Sequence, residues 1–84
     1  MITKQNPHIL VVDDEEDLCE ILKFNLETEG YTVDTAYSAE EALTLNLTDY
    51  DLLLLDVMMG EISGFKLASM LKKNEKTAHI PIIF

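Results

Sequence analysis

Two short apolar runs in this chain end on aspartate. Residues 9–12, "ILVV", are followed by Asp13 and Asp14, and residues 52–55, "LLLL", are followed by Asp56. Runs this short, bounded by polar residues, fit strands better than helices, which need ten residues or more. They are apolar at every position rather than at alternate ones. That pattern marks a strand covered on both faces, as in the middle of a parallel sheet.

The segments around these runs have the matching character. "EEDLCEILKFNLETEG" places Leu18, Ile21, Leu22 and Leu26 at helical spacing, with Gly30 just past the end. "YTVDTA" alternates and reads as a strand with a wetter face, at a sheet edge. "SAEEALTLNLTDY" opens with Ser38 and carries Glu41 three residues later, a capping-box start for a short helix whose buried stripe begins at Ala42 and Leu43. "SGFKLASMLKKN" predicts a third helix with Phe65, Ala68 and Leu71 or Leu67 turned inward, and Lys72 and Lys73 at its C-terminal end. "HIPIIF" begins a fourth strand. The order βαβαβαβ predicts an α/β fold, a parallel sheet with helices on both faces joined by right-handed crossovers. The two runs that end on aspartate should be its central neighbours.

Composition narrows the class. With 84 residues the chain makes one domain with a thin core. Its 16 acidic residues outweigh 6 basic ones, for a net charge of −10. Direct nucleic-acid binding by this segment is therefore excluded, because phosphate contacts need clustered Lys and Arg. The single Cys19 forms no internal disulfide, which fits a reducing, cytoplasmic setting. "MITKQNP" has no apolar leader, and no run approaches the length of a membrane span. Residues 1–7 read as a flexible tail.

If the two runs lie side by side, Asp13, Asp14 and Asp56 meet at one edge of the sheet, with neighbouring strands about 4.8 Å apart. Carboxylates that close repel unless a cation joins them, and a few hard oxygen ligands with room for water suit Mg²⁺. A carboxylate beside bound Mg²⁺ is also a competent nucleophile toward phosphorus. Taken alone, "DDEED" reads equally well as an acidic helix start favoured by the helix dipole. The conjunction of both runs favours the site.

The stretches "ILVVDDEEDL", "LLLLDVMMGEISGFKL" and "IPIIF" resemble the receiver domain of bacterial two-component response regulators, over residues 8–84 without a gap. The resemblance implies a flavodoxin-like, doubly wound sheet with strand order 2-1-3-4. It implies Asp56 as phosphoacceptor from a sensor histidine kinase, in a domain that assists its own phosphorylation without being a conventional enzyme. Asp14 would bind Mg²⁺ directly, Asp13 through a water, and the Met58 backbone carbonyl would add a ligand. Gly64 would let the loop turn tightly beside the site. Gly60 stands where the family often has proline, which should loosen the loop without removing chemistry.

Family members continue past "IPIIF" with a switch hydroxyl, two helices, a fifth strand and a lysine. Neither the hydroxyl nor the lysine has a match here, and Lys66, Lys72 and Lys73 are no substitutes. The expectation is a receiver lacking its last two helices and fifth strand, self-associating through the exposed C-terminal strand edge. Two other readings remain: a structural fragment without a switch, and an Asp-nucleophile phosphohydrolase. The second is disfavoured because Val57 and Met58, not an acid-base residue, follow Asp56. Elsewhere, Met58 and Met59 read as gap-fillers and Cys19 as a packed or boundary residue. His8 and His79 read as solvated loop edges, Leu43, Leu45 and Leu47 as core or boundary packing, and an exposed Phe24 as a partner surface.

Overall fold

A computed structural model describes residues 6–84. The expected tail falls mostly on residues 1–5, outside the described residues. Pro7 is tied down, since its carbonyl accepts a hydrogen bond from Thr32 N at 2.9 Å. The elements run β1 (His8–Val12), α1 (Glu16–Thr28), β2 (Thr32–Ala36), α2 (Ala39–Leu43), a 3₁₀ turn (Leu47–Asp49), β3 (Leu52–Leu55), α3 (Gly64–Lys73) and β4 (Ile82–Ile83). The strands form one parallel sheet in the order β2-β1-β3-β4, as expected.

Two apolar clusters cover the sheet. Leu10, Val12, Leu53 and Leu55 point to one face, where they pack with Ala39 and Ala42 of α2 and with Leu67 and Leu71 of α3. Ile9, Val11 and Val33 point to the other, against Cys19, Leu22 and Leu26 of α1. The chain thus winds one way from β1 to β2 and the other way from β2 through β3 to β4. The reversal lies between β1 and β3. β1 is apolar on both faces and buried on both. β3 was expected to match it, but Leu52 and Leu54 are only half-buried, because a single helix covers that face.

Each helix departs somewhat from its sequence pattern. In α1 the innermost side chain is Cys19, with Leu22 and Leu26 beside it. Leu18 and Ile21, expected inward, lie on the exposed shoulder with Phe24. Gly30 follows the helix at φ +97°, and Tyr31 N closes the end by donating to Leu26 O at 3.2 Å. The Ser38 cap forms as expected, with Glu41 N donating to Ser38 Oγ at 2.9 Å, while Glu41 Oε1 accepts from Tyr37 N at 2.7 Å. The helix it starts ends at Leu43. That leaves Leu43 exposed, Leu45 half-buried and Leu47 in the core. Phe65 of α3 is 59% exposed instead of inward. Gly64, Leu67 and Leu71 are the buried stripe, and the next residue along a helix is turned by about 100°. The Phe65 ring packs on Phe84 with centroids 4.8 Å apart. "HIPIIF" yields a strand of only Ile82–Ile83; Ile80 is buried just before it, and His79 is exposed.

At the sheet end where the strands begin, a polar brace joins three segments. His8 opens β1 and is half-buried rather than a solvated loop edge. Its Nε2 lies 2.8 Å from Asp34 Oδ2, and the same oxygen accepts from the Tyr50 hydroxyl at 2.8 Å. Burial raises the Asp34 carboxyl, but the hydrogen bonds from Tyr50 and His8 outweigh it and hold the group below its usual range. An ionised carboxylate only accepts, so His8 Nε2 carries the proton. Burial and the bond to Asp34 push Tyr50 up to about 12 from an ordinary 10.0. The folded state therefore favours the protonated phenol. That stabilisation is complete below pH 10 and disappears as pH rises through about 12. In urea titrations, Tyr50→Phe should cost about 1 kcal/mol at pH 7. It should also flatten the alkaline loss of stability that the parent chain shows between pH 10 and 12.

Candidate functional site

The register of the central pair builds the site. Val12 lies opposite Leu55, so the next residue of each strand, Asp13 and Asp56, emerge side by side. Asp56 N still donates to Val12 O at 2.9 Å, and Asp13 N donates to Ala36 O at 3.1 Å. Both aspartates are thus the last hydrogen-bonded residues of the sheet, at the edge where its winding reverses. Grooves at such reversal points are the usual ligand sites of doubly wound sheets.

Asp13, Asp14 and Asp56 come together as expected. One carboxylate oxygen from each falls within 4.8 Å of the others. Asp13 is 8% exposed, Asp56 is half-buried, and Asp14 faces solvent. Asp13 Oδ1 accepts from Glu15 N at 2.9 Å, which fixes one side of that carboxylate. The acidic first turn of α1 is Glu16 and Asp17. Asp13 and Asp14 precede it; Asp13 holds the N–H of the cap residue Glu15 with one oxygen, and the helix start gives no account of Asp14 beside Asp56. The donor chemistry fits a hard divalent cation: three carboxylates from two adjacent strand ends, one open to water.

Beyond Asp56 the chain forms a loop to Ser63. Met58 N lies 3.4 Å from Asp56 Oδ1, and Gly64 N donates to Val57 O at 2.9 Å. Gly60 takes φ +39°, in the left-handed region, with nothing close to its absent side chain. This glycine serves the backbone turn. Gly64 differs. It sits at the first position of α3 without a positive φ, and a Cβ there would run into the Asp56 carbonyl. Its role is close approach of α3 to the end of β3, not the tight turn anticipated from sequence. Ser63 caps α3, its Oγ accepting from Lys66 N at 3.1 Å. Lys72 is committed at the far end of α3, donating to Ala78 O and Ile80 O at 3.1 and 3.2 Å.

One contact beside the site had no sequence signal. Cys19 Sγ donates to Asp13 O at 3.3 Å, and its residue is fully buried. Burial and then the Asp13 charge raise its thiol pKa, so it stays protonated and donating. A groove of about 320 Å³ runs from Asp13 and Asp56 along Val11, Leu22, Leu54 and Ile83.

Comparison with known proteins agrees with this geometry. The family model of the response regulator receiver domain matches residues 9–84. The chain belongs to the response regulator receiver domain family. Response regulator SaeR of Staphylococcus aureus is 39% identical over 77 residues, which are 92% of this chain and 33% of that protein. The receiver domain described here therefore spans about a third of the length of the curated relatives it matches. The N-terminal domain of a response regulator receiver protein from Methanoculleus marisnigri superimposes with a TM-score of 0.84 at 41% identity, covering 89% of this chain and 62% of that one. TrrA of Thermotoga maritima, solved in complex with Mg²⁺-BeF, gives a TM-score of 0.77 at 46% identity, covering 83% and 62%. The chain is a receiver domain of a two-component response regulator.

Gly64→Ala tests the close approach. The added methyl meets backbone, which cannot swing aside, so stability measured by urea unfolding should fall by about 1–3 kcal/mol. Gly60→Ala, where space is open but φ is positive, should cost about 1 kcal/mol.

Proposed function

We propose that this receiver accepts a phosphoryl group on Asp56 from a sensor histidine kinase, with Mg²⁺ as cofactor. The observation that carries the reading is the three-carboxylate cluster at the winding reversal, with Asp56 on the strand end between Asp13 and the loop. The complex of TrrA with Mg²⁺-BeF supports it by likeness.

In this reading Asp14 would hold the cation directly and Asp13 through a water, with Asp56 and the Met58 carbonyl as the protein's further ligands. The bound cation supplies positive charge that offsets repulsion between carboxylate and phosphoryl oxygens. Asp56 attacks phosphorus as the Asp56 oxygen–phosphorus bond forms and the phosphorus–nitrogen bond to the donor histidine breaks, its electron pair leaving with the imidazole. Backbone N–H groups after Asp56 hold phosphoryl oxygens, with Gly60 and Gly64 shaping the loop that presents them. Asp13 is held on both its carbonyl and its carboxylate, by Cys19 and Glu15, so little ordering remains to be done when the cation arrives. The domain assists its own phosphorylation and works in the cytoplasm. Among the described residues no helix is long and apolar enough to cross a membrane. Self-association belongs to the same proposal. β4 borders the sheet with Ile83 and Phe84 half-exposed, and sedimentation at high micromolar concentration should find dimers.

Incubation with Mg²⁺ and a small phosphodonor, read by intact mass, tests the function. The chain should gain one phosphate, and Asp56→Asn should gain none while remaining folded. Asp13→Asn and Asp14→Asn should each weaken Mg²⁺ binding by about tenfold or more, measured by titration. A folded parent chain that gains no phosphate supports the structural-fragment reading instead, and sustained donor turnover supports a phosphohydrolase.

A further inference from the structure

The sulfur-bearing residues among the described residues are unequally open to solvent. Cys19 is fully buried and Met59 is 3% exposed, both inside the fold. Met70 is 40% exposed on α3, well beyond the helix start that faces the site. Met58 is 81% exposed. It is also the residue whose N–H faces Asp56 Oδ1, at 3.4 Å, at the mouth of the acceptor site. Its side chain shares the surface cavity with Met59, Gly60, Glu61 and Lys66. The most exposed sulfur-bearing side chain among the described residues therefore belongs to a residue two positions from the proposed acceptor carboxylate.

Packing explains the contrast between the two adjacent methionines. Met59 belongs to the core cluster beneath the loop and anchors it. With Met59 turned in and Gly60 in a left-handed turn, Met58 faces water. A long apolar side chain held in water gains nothing from burial, so packing alone does not account for a thioether at this position.

We propose that Met58 is a site of reversible oxidation that slows phosphoryl uptake at Asp56. The oxidant is a hydroperoxide. The sulfur lone pair attacks the distal peroxide oxygen, the O–O bond breaks, the sulfur is oxidised by two electrons to the sulfoxide, and the other peroxide oxygen takes the proton from the transferred oxygen and leaves, as water from hydrogen peroxide or as an alcohol from an organic hydroperoxide. The product is polar and chiral and carries a strong acceptor oxygen. Beside three carboxylates, that oxygen opposes the approach of an anionic phosphodonor, and its hydration shell must be stripped as the donor docks. Met59, one residue away, is shielded from the same oxidant by its burial. A thiol-dependent sulfoxide reductase returns the site to its first state, two thiols giving up two electrons and two protons as they form a disulfide and the sulfoxide oxygen leaving as water.

The inference rests on Asp56 being the acceptor, and the experiment separates the two. The folded chain is treated with hydrogen peroxide, mapped by peptide mass, and assayed for phosphate uptake from acetyl phosphate with Mg²⁺. Oxidation should appear at Met58 before Met70 and Met59, and uptake should fall about threefold or more. Methionine sulfoxide reductase should restore it. Met58→Leu keeps the backbone carbonyl and has no sulfur, so its treated and untreated samples should match each other. An untreated chain without uptake overturns the acceptor reading and this one together. With uptake present, three results overturn only the oxidation proposal: Met58 oxidised last, an unchanged rate after Met58 is oxidised, or an equal loss in treated Met58→Leu.

Discussion

Pairing of β1 with β3 in one register, Val12 opposite Leu55, is the constraint on which the site depends. It sets three carboxylates together against their mutual repulsion. Two such charges about 5 Å apart repel by about 1 kcal/mol in water and about 3 kcal/mol at the effective dielectric near a protein surface. The same register buries Leu10, Val12, Leu53 and Leu55 on one face, and each such side chain contributes about 1.5–3 kcal/mol. Three such pairs cost about 10 kcal/mol at that dielectric, and the four side chains together contribute about 6–12 kcal/mol, so burial offsets the repulsion. A slip by one residue would turn every leucine of β3 to the opposite face, so the apolar core holds the aspartates at short range before any cation binds.

The surroundings of the site extend that rigidity in two directions. On the β1 side, Asp13 is fixed by its own N–H to Ala36, by Cys19 Sγ on its carbonyl and by Glu15 N on its carboxylate. On the β3 side, α3 starts against the Asp56 carbonyl, at a distance only a glycine allows. Anchoring the helix there also sets its rotation, which sends Leu67 and Leu71 inward and Phe65 outward. Between these fixed points lies a loop that is half anchored, by Met59, and half open, at Met58. The proposed acceptor therefore sits where a rigid strand end meets an exposed turn, and the oxidation proposed at Met58 would take place on the exposed side.

Much of the fold was legible because both signals involved are local. Four consecutive apolar residues at 9–12 and at 52–55 mark strands by local composition, although how far each face is buried depends on what covers it, as Leu52 and Leu54 show. Alternation with helical segments then leaves few topologies. The acidic trio followed from adjacency of those strands. The misreadings share one cause. Leu18, Ile21 and Phe65 are apolar and correctly spaced for their helices, yet a helix has one rotation, and tertiary contacts at Cys19 and Gly64 select it. The short helix after Ser38 formed as expected, but Leu43 was misread for a comparable reason, as Ala42, Leu47 and Tyr50 are the residues drawn into the core.

By itself the sequence determined the element order, the parallel sheet and the three aspartates that meet at its edge, because hydrophobic period and strand-terminal aspartates are properties of neighbouring residues. It also carried the family resemblance. Tertiary structure alone decided which oxygen of Asp13 is held, why position 64 excludes a side chain, and that His8, Asp34 and Tyr50 join at the opposite end of the sheet. It also decided that of two adjacent methionines one is buried and the other open. Each of these is a distance between residues far apart in the chain or an orientation fixed by packing, and neither is encoded in spacing along the sequence.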